Sequence, residues 1–74
     1  MEKLFTQQLN VNGTSVSYNV SFHNEAYYFE PATPDAPAFS VSRERDEWMT
    51  GDDLSSSLFS AATVALDKYL LSQH

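Results

Sequence analysis

Apolar and polar positions follow two different periods along this chain, and the change falls near Gly51. From Thr14 to His23 the residues alternate, with Val16, Tyr18, Val20 and Phe22 on one side and Ser15, Ser17, Asn19 and Ser21 on the other. That period of two predicts a strand with one buried face. Lys3 to Val11 alternates more loosely, setting Phe5, Leu9 and Val11 against Thr6, Gln8 and Asn10. From Asp52 to Ser72 the period becomes helical. At 100° per residue, Leu54, Leu58, Phe59, Ala61, Ala62, Ala65, Leu66, Tyr69 and Leu70 share one broad face. Ser56, Ser60, Thr63, Asp67 and Lys68 take the other, and Val64 and Leu71 lie off the apolar stripe.

Turn chemistry fixes how the strands pair. Asn12-Gly13 tolerates the positive φ of a type I′ hairpin turn. With those two residues as the loop, Val11 faces Thr14, Leu9 faces Val16 and Phe5 faces Val20, so apolar residues meet on one face. Gln7 opposite Tyr18 is the one mixed pair. Asn24-Glu25 is the next turn candidate, and it sets Phe22 against Tyr27 and Val20 against Phe29. Pro31, Pro34 and Pro37 then mark a stiff connector, because each removes a backbone donor and disfavours helix in the residue before it. Phe39 to Arg43 alternates again as a fourth strand, followed by a charged turn from Arg43 to Glu47. Asp52 or Asp53 suits the N-cap of the helix. The sequence therefore predicts an α+β chain: a four-stranded antiparallel meander with one C-terminal helix packed across one face, all within residues 1–74 as one small domain.

Composition narrows this picture. A chain of 74 residues buries only roughly 60–65% of its unfolded surface, so its core is thin. No cysteine is present, which excludes a disulfide framework and any Cys-based zinc site. Five Phe, four Tyr and one Trp supply the bulk instead. Trp48 is read as a core residue filling the gap between the fourth strand and the start of the helix.

The formal net charge is −6, and the four basic residues Lys3, Arg43, Arg45 and Lys68 do not cluster. Phosphate neutralisation needs several cations on one surface, so neither nucleic acid nor an anionic membrane is expected as a partner. The acidity is compatible with a basic protein partner. No run approaches the roughly 18–20 apolar residues of a membrane span, and residues 1–20 carry no signal-peptide pattern, so cytoplasmic residence is expected.

Candidate chemistry is sparse. Asp46, Glu47, Asp52 and Asp53 surround Trp48 and Gly51, but their spacing does not match a calcium loop, so no metal is expected there. His23 and Glu25 flank a hairpin turn, where polar residues are expected anyway and an exposed site cannot exclude water for acid–base work. His74 is the last residue of the sequence. No nucleophile elbow or phosphate-binding glycine loop occurs, so no catalytic residue and no cofactor is implied, and the chain is not expected to be an enzyme.

The most unusual feature is the expected outer sheet face. Thr6, Gln8, Asn10, Ser17, Asn19, Ser21 and Tyr28 lie there, extended by Ser15, Ser40 and Ser42, nearly all polar and uncharged. Solvated antiparallel faces are ordinary. A face of this composition also suits hydrogen bonding to a flat polar partner. The expected function is a small non-catalytic protein-interaction module, with a small-ligand or carbohydrate binder as the alternative. A weak two-fold homodimer, through the weakly charged first strand or through the neighbouring polar face, is a further expectation, and the competing one is a monomer whose −6 charge keeps copies apart. The order of elements, with Pro31 to Pro37 preceding a helix that follows Gly51-Asp52, loosely resembles that of small HicB-type antitoxins. That resemblance implies a partner-binding role and assigns no site residue.

Overall fold

The computed structural model describes residues 2–73. His74 lies outside them. Five strands, β1 (Glu2–Val11), β2 (Thr14–His23), β3 (Ala26–Pro31), β4 (Phe39–Glu44) and β5 (Glu47–Met49), precede the helix α1 (Ser56–Ser72). The strands form one antiparallel sheet in the order β1-β2-β3-β4-β5, a pure meander. The α+β architecture is as expected, but the sheet has a fifth strand.

The reason for the extra strand is a third tight turn. Asn12 and Gly13 have φ of 51° and 85°, Asn24 and Glu25 have 50° and 64°, and Arg45 and Asp46 have 52° and 67°. All three hairpins thus carry two successive positive-φ residues, whose twist matches that of the flanking strands. Arg45-Asp46 is weak turn chemistry by sequence, so the turn read over Arg43–Glu47 hid a short strand. The turn itself is only Arg45-Asp46, and Trp48 pairs back to Arg43.

The inner face holds Leu9, Val16, Tyr18, Val20, Phe29, Phe39 and Val41, covered by Leu58, Ala62 and Leu66 of α1. Leu9 pairs with Val16, Phe5 with Val20, Gln7 with Tyr18 and Val20 with Phe29, the register that the turns impose. At the start of β1 the register shifts between Lys3 and Phe5, so Leu4 is an inserted residue and Lys3 faces Ser21. Phe29 and Phe39 stack with centroids 4.7 Å apart, and Tyr18 leans on both at 6.3 Å and 5.4 Å. The core is largely aromatic, which gives a short chain large buried area per residue.

Four expectations are corrected by the packing. First, Ser55 caps the helix: its Oγ accepts from the Leu58 N–H at 3.2 Å, while neither Asp52 nor Asp53 does. Asp52 instead accepts from the Ser40 N–H at 2.9 Å, and Thr50 Oγ1 donates to the Ser40 carbonyl at 2.8 Å. These two side chains continue the sheet edge where β5 has ended, which leaves the helix start to the next available hydroxyl. Second, Thr63 is buried rather than solvent-facing, because its hydroxyl donates to the Ser60 carbonyl within the helix at 3.0 Å. Third, Trp48 packs against the core, half-buried, but beside the C-terminal half of α1 rather than its start, where its indole N–H donates to Asp67 at 3.1 Å. Fourth, Phe22 stays 43% exposed, with the Tyr27 ring beside it at 4.8 Å.

Two contacts place the helix across the sheet. Tyr69 stacks on Phe5 of β1 at 4.5 Å on one flank. On the other flank Asp67 meets Trp48 and lies 3.7 Å from the Arg43 guanidinium, which itself covers the Trp48 ring at 5.2 Å. Val64 and Leu71 point to solvent.

Candidate interaction surface

The residues Thr6, Gln8, Asn10, Ser17, Asn19, Ser21 and Tyr28 come together on the face opposite the helix. The register shows this directly: Thr6 faces Asn19, Gln8 faces Ser17 and Ser21 faces Tyr28. Thr6, Gln8, Asn10 and Asn19 are exposed, whereas Ser17, Ser21 and Tyr28 are partly covered by longer neighbours.

Their polar groups bond to one another. Ser15 Oγ donates to Gln8 Oε1 at 2.7 Å, and Gln8 Nε2 donates to Ser17 Oγ at 2.8 Å, so one glutamine bridges two serines of β2. Thr6 Oγ1 donates to Asn19 Oδ1 at 3.3 Å. Asn10 Oδ1 accepts from the Gly13 N–H at 2.8 Å and so braces the hairpin turn. A ligand on this face would have to replace these bonds. Two of these contacts join directly opposite residues, Thr6 with Asn19 and Gln8 with Ser17, and one, Ser15 with Gln8, runs on the diagonal two residues off register.

The β1 edge is different. Ser17 turns its carbonyl toward β3, where it accepts from the Ala32 N–H at 2.8 Å. Its opposite number Gln8 therefore belongs to a wide pair and turns its own backbone away from β2. By the same alternation Thr6 and Asn10 also point outward, while Phe5, Gln7, Leu9 and Val11 bond to β2. Only the Gln7 side-chain amide reaches the outward Gln8 carbonyl, at 3.1 Å. From Leu4 to Val11 the edge carries no charge and no proline. The opposite edge is closed by comparison: β5 is three residues long, with Arg45, Asp46 and Glu47 at its start and Asp52 and Thr50 bonded beyond its end.

Two clefts hold few titratable groups. A cleft of about 470 Å³ lies between the Asn12-Gly13 turn and the start of α1, and Asp53 is its only titratable lining residue. Another, bounded by Leu70 and Leu71, contains Arg43 and Asp67, already paired with each other. Among the described residues no three His, Asp or Glu side chains converge as metal ligands.

The chain has no match among known protein families, curated proteins or solved structures. The similarity to HicB-type antitoxins therefore rests on element order alone. No helix of the described residues is long and apolar enough to cross a membrane.

The Tyr18 phenol responds to the fold. Burial raises the Tyr18 phenol above its ordinary pKa, and its hydroxyl donates to the Pro37 carbonyl at 2.8 Å, anchoring the proline connector to β2. The fold favours the neutral phenol. That contribution is complete below the unfolded value, about pH 10, and is lost as pH rises through the higher folded value. Urea midpoints should therefore fall above about pH 10 more steeply for the native chain than for Tyr18→Phe. At neutral pH the variant should lose about 1 kcal/mol with the hydrogen bond. Parallel alkaline profiles for the two proteins would refute the assignment.

Proposed function

We propose that this chain is a non-catalytic protein-interaction module that acts through the β1 edge and the adjoining outer face. The single observation that carries the reading is the outward backbone of Thr6, Gln8 and Asn10, which has no strand partner among the described residues, in a segment without charge. Such an edge accepts another strand through main-chain hydrogen bonds, and natural proteins usually blunt it when it has no use. In the cleft beside the start of α1 Asp53 is the only titratable lining residue, which supports a binding role there over a catalytic one. The −6 charge disfavours nucleic acid and anionic membranes and is compatible with a basic protein partner in the cytoplasm. A small-ligand or carbohydrate role on the outer face ranks second, because most amides and hydroxyls there already bond to each other.

The test is an amide NMR spectrum of isotope-labelled chain, in buffer and in extract of its native cells. Broadening should be concentrated at residues 5–11. Saturable shifts at Asn19, Ser21 and Tyr28 on adding free sugars would favour the alternative. A chain that is monomeric in buffer and whose spectrum is unchanged by extract would overturn the interaction reading.

A further inference from the structure

We infer that the strand accepted by β1 is β1 of a second copy of this chain, antiparallel about a two-fold axis at Gln8. This rests on the interaction-module reading and names its partner.

Two independent features select the same axis. The first is the length of regular edge. The register shift at Leu4 interrupts the pleat on one side, and Asn12 enters the hairpin turn with φ 51° on the other. The uninterrupted edge is therefore Phe5 to Val11, with Gln8 at its middle. The second is the direction of the backbone groups. Thr6, Gln8 and Asn10 point outward, and Gln8 is the central one of these. Centring the two-fold on Gln8 pairs Thr6 with the partner's Asn10, Gln8 with the partner's Gln8, and Asn10 with the partner's Thr6. About six backbone hydrogen bonds form, whereas an axis moved by one residue uses only about four. The Gln7 amide that now covers the Gln8 carbonyl is a flexible exposed-edge contact that the new strand displaces.

Side chains fit the same register. Phe5 falls opposite the partner's Val11 on the core face, and both are half-buried in the single chain. Leu9 falls opposite the partner's Gln7. On the outer face, Gln8 sits beside the partner's Gln8 and Thr6 beside the partner's Asn10, so no charge meets a like charge. Lys3 and Glu2 lie beyond the paired segment. The axis is normal to the sheet, which places both helices on the same side of one ten-stranded sheet. The two β5 strands become its outer edges, and these are the edges closed by charge and by Asp52 and Thr50. Like net charge opposes the association, so salt strengthens it.

Sedimentation equilibrium of the full chain tests this. A monomer–dimer equilibrium is expected, tightening between low and high salt. Gln8→Lys brings two like charges together on the axis and should weaken dimerisation at least tenfold, while Val64→Lys, on the solvent-facing side of α1, should not. Circular dichroism checks that both variants fold. The chain has no cysteine, so Gln8→Cys provides a second reading: mild oxidation should give a disulfide-linked dimer far faster than Val64→Cys does. A chain that stays monomeric at millimolar concentration in both salts overturns the inference. So does a dimer equally sensitive to both lysine variants. If the monomeric chain still shows residues 5–11 broadened by extract, the partner is another protein and the module reading stands; if it does not, both fall.

Discussion

Phe29→Ala is expected to cost about 3–5 kcal/mol of folding stability. Phe29 is fully buried on β3, the middle strand of the five, stacked on Phe39 and edge-on to Tyr18. Removing its ring opens a cavity where neither neighbour can collapse without breaking its own strand register. A chain of this length has roughly 4–11 kcal/mol of total stability at typical values per residue, so the variant should be close to unfolded at room temperature. Phe22→Ala is the internal comparison. It removes the same side chain from the same face, but Phe22 is 43% exposed, with the Tyr27 ring beside it. Urea denaturation should separate the two variants clearly. Equal losses would mean that the inner face is not buried in the way described.

The second large effect is Leu66→Ala. Leu66 is fully inaccessible in the middle of the helix face that covers the sheet, and its truncation should cost about 2–5 kcal/mol. Leu71 belongs to the same helix and is 73% exposed, so Leu71→Ala should stay within about 0.5 kcal/mol of the native chain. The contrast tests the rotation of the helix rather than its existence. A melting curve moved more by Leu71→Ala than by Leu66→Ala would reject the docked orientation.

Much of this architecture is legible in local pattern. Val16 to Phe22 alternates strictly because one face is dry and the other wet, and a slip of one residue would exchange the two. The Asn12-Gly13 turn transmits that constraint to β1, which is why Leu9 opposite Val16 follows from a dipeptide and a period. The polar outer face is legible for the same reason: once the inner set is assigned, Thr6, Gln8, Asn10, Ser17, Asn19, Ser21 and Tyr28 have only one place to go. Less legible are features that depend on a neighbour distant in the chain. The turn at Arg45-Asp46 has no glycine or asparagine, and β5 has three residues, too few to show a period. Asp52 has the chemistry of a helix cap, yet the unpaired Ser40 N–H on β4 competes for its carboxylate and wins it.

The candidate site divides along the same line. Sequence alone determines that β1 is uncharged from Leu4 to Val11 and that its polar residues share a face, because composition and a period of two need no partner to be read. The structure keeps β1 at the edge that the meander implies, and only the tertiary structure decides that the Ser17 carbonyl accepts from the Ala32 N–H and that Leu4 breaks the pleat. Likewise the off-stripe Val64 and Leu71 acquire a place only once Tyr69 rests on Phe5 and Asp67 on Trp48. The physical reason is the range of the interactions. Periodicity and turn propensity act over a few residues, whereas strand order, hydrogen-bond direction and helix rotation are set by contacts between segments far apart in the chain.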